Sequence, residues 1–270
     1  MNPATEQLLI DHRGAQQRRS TWRTYLVLAH TLSHSGRIVG RSLLQRLSPQ
    51  AADRVMRAWS DHVFDIAKLT LAVRGAEDLE QERSYVLLSN HASLLDIPCV
   101  LRAFPGRLRF VAKAELRRVP VFGDAAADIG CIFVDRSDRA RAIAQLEEGK
   151  RVVADGTSLW VAAEGTRSRD GRLHGFKKGG FHVALSLGVP IVPVWIEGTL
   201  DVIPPDQWGA VTGQRVTVSF GAPIETAGRT TADLDALMQA TRASMLALAH
   251  GAGARDDVDA EAHPVPKQSS

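Results

Sequence analysis

Tyr85-Val86-Leu87-Leu88-Ser89-Asn90-His91-Ala92-Ser93-Leu94-Leu95-Asp96 joins an apolar run to a polar break that leads into an amphipathic stretch. Four consecutive residues without polar relief read as a strand buried on both faces, and the residues that follow read as a loop opening a helix. A buried strand running straight into a helix is the unit of an α/β sheet. His91 and Asp96, with four residues between them, sit at that break. An imidazole there can take a proton from a hydroxyl, and a carboxylate on its far nitrogen fixes the tautomer and steadies the imidazolium. No nucleophilic side chain is evident beside the pair. The same residues also read as Asn90 and Ser93 capping a helix whose first turn carries Asp96. Local spacing does not choose between these readings.

Downstream, short apolar runs keep alternating with helical stretches. Strands are expected over Leu71–Val73, Tyr85–Leu88, Leu108–Val111, Cys131–Val134, Ser158–Ala163, Val189–Val194 and Val216–Phe220. Helices are expected over Ser93–Leu101, Ala114–Phe122, Ser137–Asp155, Gly179–Leu187 and Thr231–His250. The pattern predicts an α/β fold with a mixed, mostly parallel sheet covered by helices. In such sheets ligands bind beyond the carboxyl ends of the strands.

Several charged motifs fall at those ends. Ala163-Glu164-Gly165-Thr166-Arg167-Ser168 follows a strand and combines a glycine, hydroxyl donors and a guanidinium fork, which suits an anion. It also reads as a polar turn with Glu164 paired to an arginine. Lys113 closes the run Phe110-Val111-Ala112-Lys113 and offers a second cation, or simply starts a surface loop. Asp135 and Arg136 end the run Gly130-Cys131-Ile132-Phe133-Val134, where they either meet substrate or pair with each other. Phe176-Lys177-Lys178-Gly179 is a basic turn. Pro190 and Pro193 in Val189–Val194 predict an edge strand or a pocket wall.

Upstream, a helical pattern runs from Ala15 to about Leu47 with a break expected near Ser35-Gly36, and a third helix is expected over Ala51–Leu69. Residues 1–60 hold nine arginines against Glu6, Asp11 and Asp53, although the whole chain carries only +3. Arginines flank stripes of Trp22, Tyr25, Leu26 and Leu32, the composition of a helix lying in a membrane interface; packing on the domain explains the stripes equally. The first twenty residues hold no apolar core of a secretory signal. His30, Thr31 and Ser33 interrupt the longest apolar stretch, which falls short of the roughly twenty residues a bilayer requires. Cys99 and Cys131 fit neither a disulfide framework nor a metal pattern. The expected organisation is basic amphipathic helices over 1–52, a catalytic domain over 53–250 and a disordered tail over 251–270.

Asn-His-x4-Asp, Ala-Lys-x-Glu-Leu, Gly-x-Ile-Phe-Val-Asp-Arg, Glu-Gly-Thr-Arg-Ser, Phe-Lys-x-Gly and Val-Pro-Ile-Val-Pro-Val occur here in one order. Over about residues 71–223 that order resembles the glycerophospholipid acyltransferases, of the 1-acyl-glycerol-3-phosphate acyltransferase type. The resemblance implies a general base, His91, with Asp96 as its partner. It implies an acceptor phosphate site of Glu164, Gly165, Thr166 and Arg167, with Lys113 and Arg136 as further contacts. It implies acyl transfer from acyl-CoA or acyl carrier protein to a lyso-phospholipid hydroxyl without a covalent acyl-enzyme, and no metal or other cofactor. An oxyanion would need donors, for which the N–H groups after His91 are candidates. The expected place is the cytoplasmic face of the bacterial inner membrane, as a peripheral or monotopic protein on an anionic surface. The family usually has Phe-Pro before Glu-Gly-Thr-Arg-Ser, whereas this chain has Ala162-Ala163, which predicts a looser turn. Another lyso-lipid acceptor such as lyso-ornithine lipid, a thioester hydrolase and a non-catalytic lipid-binding protein remain as alternatives. A nucleic-acid binder fits poorly, because the aromatics lie on apolar helical stripes and no nucleic-acid motif occurs.

Overall fold

The computed structural model describes residues 20–44, 48–134, 149–207 and 209–251. The polar N-terminal start, Asp135 and Arg136, most of the helix expected over 137–155 and the tail after Gly251 lie outside those residues. Two helices lead, α1 (Thr21–Leu43) and α2 (Pro49–Ala67). Seven strands follow: β1 (Thr70–Arg74), β2 (Val86–Ser89), β3 (Arg107–Lys113), β4 (Ile132–Val134), β5 (Thr157–Ala162), β6 (Ile191–Glu197) and β7 (Arg215–Phe220). Between and after them come α3 (Asp96–Ala103), α4 (Phe122–Asp128), α5 (Gly179–Leu187), α6 (Thr199–Val202) and α7 (Leu234–Gly251).

The strands form one sheet in the order β1-β7-β6-β2-β5-β3-β4. Every pair is parallel except β6 with β7. This is the mixed, mostly parallel sheet expected from the alternation of runs. Two apolar layers enclose it. One holds Phe64, Leu87, Val100, Phe104, Val192 and Val218; the other holds Val86, Leu88, Leu159, Phe181, Leu237 and Met245. Leu87 and Leu88 go to opposite layers, as alternation along a strand requires, and β2 is buried throughout. That explains its unrelieved apolar run. α5 crosses closely at Gly180, where a Cβ would lie 2.7 Å from a Leu88 methyl and push that side chain aside.

Four expectations change. The N-terminal helix is continuous through Ser35-Gly36, because Ser35 and Ile38 pack inward and tertiary burial outweighs the roughly 1 kcal/mol cost of a helical glycine. The stretch Ala114–Phe122 is a 3-10 turn (Ala114–Arg118) followed by a break and α4. Pro120 causes the break by holding Val119 extended (φ −72°, ψ 116°), and Val121 follows with φ +64°. The first helix after β2 starts at Asp96, not Ser93. Finally, β6 is interior and not an edge. It accommodates Pro193 because the β6/β7 ladder ends at Val194↔Phe220, and the next bridge is Ile191↔Ile224. Only the Pro193 carbonyl is used in that gap, by Gly221 N at 2.8 Å. At the C-terminus a Thr230/Asp233 capping box precedes α7.

The leading helices are fastened to the sheet. Ser48 Oγ caps α2 by accepting from Ala51 N, and Arg23 donates to the Ile66 carbonyl across the helix pair. Asp53 on α2 pairs with Arg109 on β3, and both side chains are largely buried. Removing the carboxylate would strand a buried guanidinium, so Asp53→Ala is expected to lower stability by about 3 kcal/mol in a denaturant titration. A change under about 1 kcal/mol would show the pair to be solvent-screened.

Candidate active site

The loop between β2 and α3 is held from four sides. Asn90 continues the strand with its side chain: its amide donates to the Ile196 carbonyl at 2.8 Å and accepts from Ile196 N at 2.8 Å. His91 N donates to Glu164 Oε1 at 3.1 Å, and the His91 carbonyl accepts from Ser168 N at 2.7 Å. Ser93 Oγ donates to the Ile203 carbonyl at 2.8 Å. Neither Asn90 nor Ser93 is the N-cap of α3, which is Leu95, although Ser93 Oγ accepts from Leu95 N at 3.3 Å just before it.

Asp96 organises the turn instead. Its side chain is fully buried. Oδ2 lies 2.7 Å from His91 Nδ1 and accepts from Ala92 N at 2.7 Å and Ser93 N at 2.9 Å, while Oδ1 accepts from Thr199 Oγ1 at 2.5 Å. One carboxylate therefore closes the backbone loop and orients the imidazole. The Ala92 and Ser93 N–H groups, candidate oxyanion donors by position, are occupied by Asp96. Trp160 adds an edge contact to the His91 ring at 5.7 Å between centroids, and its Nε1 donates to Ser89 Oγ. With Nδ1 engaged, Nε2 is the nitrogen left to exchange a proton, and the side chain keeps 15% of its exposure. Both cysteines are excluded as nucleophiles: burial pushes the Cys99 thiol far up and Cys131 up to about 11.

The neighbouring strand ends assemble as parallel register requires. Ser89 pairs with Ala162, and Lys113 ends β3 on the far side of β5. The Glu164-Gly165-Thr166-Arg167 turn therefore leaves the sheet beside His91, and Lys113 lies one strand farther on. Gly165 takes φ +71° and closes the turn through its N–H to the Ala162 carbonyl. Thr166 is exposed and Arg167 half-buried. Arg167 has one long bond, 3.4 Å to the Pro205 carbonyl, and no carboxylate partner among the described residues. Lys113 is exposed and likewise unpaired among the described residues.

Glu164 faces inward. It is 2% exposed, and its two oxygens accept from His91 N and His174 N. Burial pushes its carboxyl up, and those backbone donors pull it partly back. The turn is not loosened by the absent proline. Ala163 is buried, donates to the Ser89 carbonyl at 2.9 Å and accepts from Lys177 N at 2.8 Å. A proline could not make the first of those bonds.

A protein-family model described as Acyltransferase matches residues 70–197, from β1 to the end of β6, a range that holds His91, Asp96, Lys113 and the Glu164–Arg167 turn. Human 1-acyl-sn-glycerol-3-phosphate acyltransferase alpha is 33% identical over 194 residues, 72% of this chain and 68% of that protein. The chain belongs to the acyltransferase family. The 1-acyl-sn-glycerol-3-phosphate acyltransferase of Saccharomyces cerevisiae is 38% identical over 161 residues, 58% of this chain and 52% of that protein. The crystal structure of the 1-acyl-sn-glycerophosphate (LPA) acyltransferase PlsC from Thermotoga maritima superposes with a TM-score of 0.71 at 27% identity, covering 87% of this chain and 95% of that one. Like its relatives this acyltransferase is an enzyme, and the motif order carried that reading.

Spacing alone missed Thr199, Asn90 as a strand surrogate and the inward turn of Glu164. Thr199 had one legible signal, the Gly198-Thr199 pair at a strand end. Gly198 takes φ +90°, and a Cβ there would lie 2.5 Å from the Arg215 carbonyl oxygen, so only glycine delivers Thr199 to Asp96.

Proposed function

We propose that this acyltransferase moves a fatty acyl group from acyl-CoA or acyl carrier protein to the free hydroxyl of 1-acyl-glycerol-3-phosphate, giving phosphatidic acid for phospholipid synthesis. The observation that carries the reading is the His91–Asp96 contact, placed beside an arginine without a carboxylate partner among the described residues.

In this reading His91 Nε2 takes the acceptor hydroxyl proton as that oxygen attacks the thioester carbonyl. Asp96 holds the ring and steadies the imidazolium. Collapse of the tetrahedral intermediate breaks the carbon–sulfur bond, and His91 returns the proton to the departing thiolate. No acyl-enzyme is formed. Arg167 and Lys113 take the acceptor phosphate, with Thr166 as a hydroxyl donor at the Gly165 turn and Arg136 as the contact expected beyond β4. Holding the phosphate aims the hydroxyl and makes the attack near-intramolecular. Glu164 acts as a positioning residue that pins the His91 main chain rather than as a phosphate ligand, because an acidic group offers a phosphate only repulsion.

The lipid acceptor also gives α1 a purpose. Its inward face carries Thr24, His34, Ser35 and Ile38, whereas Trp22, Tyr25, Leu32, Leu43 and Leu44 project outward on the other side. Leu94 in the His91 loop and Leu116, Val119 and Val121 after β3 are exposed as well. Aromatic and aliphatic side chains facing away from the protein, with arginines on the flanks, suit a monotopic seat in an anionic leaflet, which in a bacterium is the cytoplasmic face of the inner membrane. Among the described residues no helix is long and apolar enough to cross a membrane.

The test is direct. Purified protein given lyso-phosphatidate and acyl-CoA or acyl carrier protein should form phosphatidate, and Arg167→Ala should raise the acceptor KM about tenfold or more. Activity confined to a phosphate-free lyso-lipid, or an unchanged KM in that variant, would defeat the acceptor assignment. Flotation on anionic vesicles is expected to weaken at least tenfold when Trp22, Tyr25 and Leu32 are all changed to Ser. Undiminished flotation would place the membrane contact elsewhere.

A further inference from the structure

His30 and His34 lie one turn apart on α1 and so share a face, and His62 on α2 comes up against them. Their ring centroids are 5.2 to 6.1 Å apart, and one nitrogen from each lies within 4.8 Å of the others. His34 is 4% exposed, yet neither of its ring nitrogens has a hydrogen-bond partner among the described residues. Two orphaned polar atoms on one buried ring are costly and rare in native interiors. Reading the sequence as it stands treats His30 only as a break in an apolar stretch and expects no metal.

We propose that His30, His34 and His62 form a binding site for one divalent transition-metal ion of the zinc class, which ties α1 to α2. Three imidazoles without a carboxylate or thiolate suit Zn2+, Co2+ or Ni2+ and disfavour Mg2+ and Ca2+. At metal–nitrogen distances of about 2.0 Å a tetrahedral site brings ligand nitrogens to about 3.3 Å, so nitrogens now within 4.8 Å of one another need to close by up to about 1.5 Å, within reach of side-chain rotation. Arg37, Arg41 and Arg54 line the cleft beside His34. Those charges favour hydroxide or another small anion as the fourth ligand. Burial, then the charges of Arg37, His62 and His30, pushes the His34 pKa down. The site uses none of the residues around the His91–Asp96 pair, and its part is structural: a bound ion would fix the angle at which α1 holds its outward apolar face.

The experiment uses the full chain without an affinity tag, stripped with a chelator and titrated with Zn2+ against a chromophoric competitor. One Zn2+ per chain with a Kd tighter than about 10 µM is expected. Co2+ should give the intense visible bands of a tetrahedral site. His62 is exposed, so His62→Ala should fold normally and bind Zn2+ at least tenfold more weakly, and His30→Ala should do the same. Saturating Zn2+ should raise the thermal midpoint of the stripped protein by about 5 °C and leave that of His62→Ala unchanged. Failure to take up one equivalent, or uptake that both variants retain, would overturn the proposal.

Discussion

His91→Ala should reduce turnover by about 10³-fold, with acceptor KM changed by no more than about threefold. The expectation follows from what the ring touches. Its Nδ1 is taken by Asp96, its edge meets Trp160, and its main chain is held independently by Glu164 and Ser168. Truncation therefore removes a proton acceptor without releasing the loop. Asp96 keeps Ala92 N, Ser93 N and Thr199 Oγ1 as partners, so the stability cost should stay near 1 kcal/mol, the value of one lost hydrogen bond. Steady-state kinetics paired with a thermal melt separates the two effects. A variant that folds and keeps more than about a tenth of wild-type turnover would remove His91 from the mechanism.

Asp96→Asn should lose about 10²- to 10³-fold in turnover while remaining folded. The amide oxygen can still accept from Ala92 N and Ser93 N, and its NH2 can face Thr199, whose hydroxyl can rotate to accept. What disappears is the negative charge that steadies a protonated His91. Asp96→Ala is a different experiment. It orphans two buried N–H groups and the Thr199 hydroxyl, and should cost about 3 kcal/mol in addition to activity. If Asn matched the wild type in turnover, Asp96 would be a loop clasp and nothing more. If Asn and Ala were equally inactive and equally unstable, the charge would have no separate role.

All seven strands were legible because each is an apolar run bounded by polar turns, and their order of alternation with helices marked the sheet as mostly parallel. Boundaries drifted where a side chain did unexpected work. Nothing local indicates that Asp96 would reach back to Ala92 and Ser93, so the start of α3 was read from Ser93 and Asn90, residues that usually cap. Pro193 suggested an edge because pairing is non-local. Only the register with β7 reveals the gap in which a missing N–H is harmless. Pro120, in contrast, carries a readable signal: the residue before a proline leaves the helical region, which divides the stretch Ala114–Phe122 at Val119. In the site, His91, Asp96 and Arg167 were visible as types at strand ends. Glu164 was placed with the anion ligands because a motif shows which residues are together, not which way each one faces. Thr199 lies 103 positions from Asp96 and no spacing rule connects them.

The two residues of the proposed dyad are neighbours in the chain, but the atoms that set their geometry are not. Asn90 is fastened by Ile196, His91 by Glu164, Ser93 by Ile203 and Asp96 by Thr199, all contributed by segments synthesised 70 to 110 residues later. A chain emerging from the ribosome thus carries the histidine and the aspartate long before it carries the residues that fix them. Until β5 and β6 flank β2, the contacts from Glu164, Ile196, Ile203 and Thr199 that fix this loop are missing. The full geometry of the proposed dyad therefore needs the completed centre of the sheet, and catalytic activity would itself report that folding has finished.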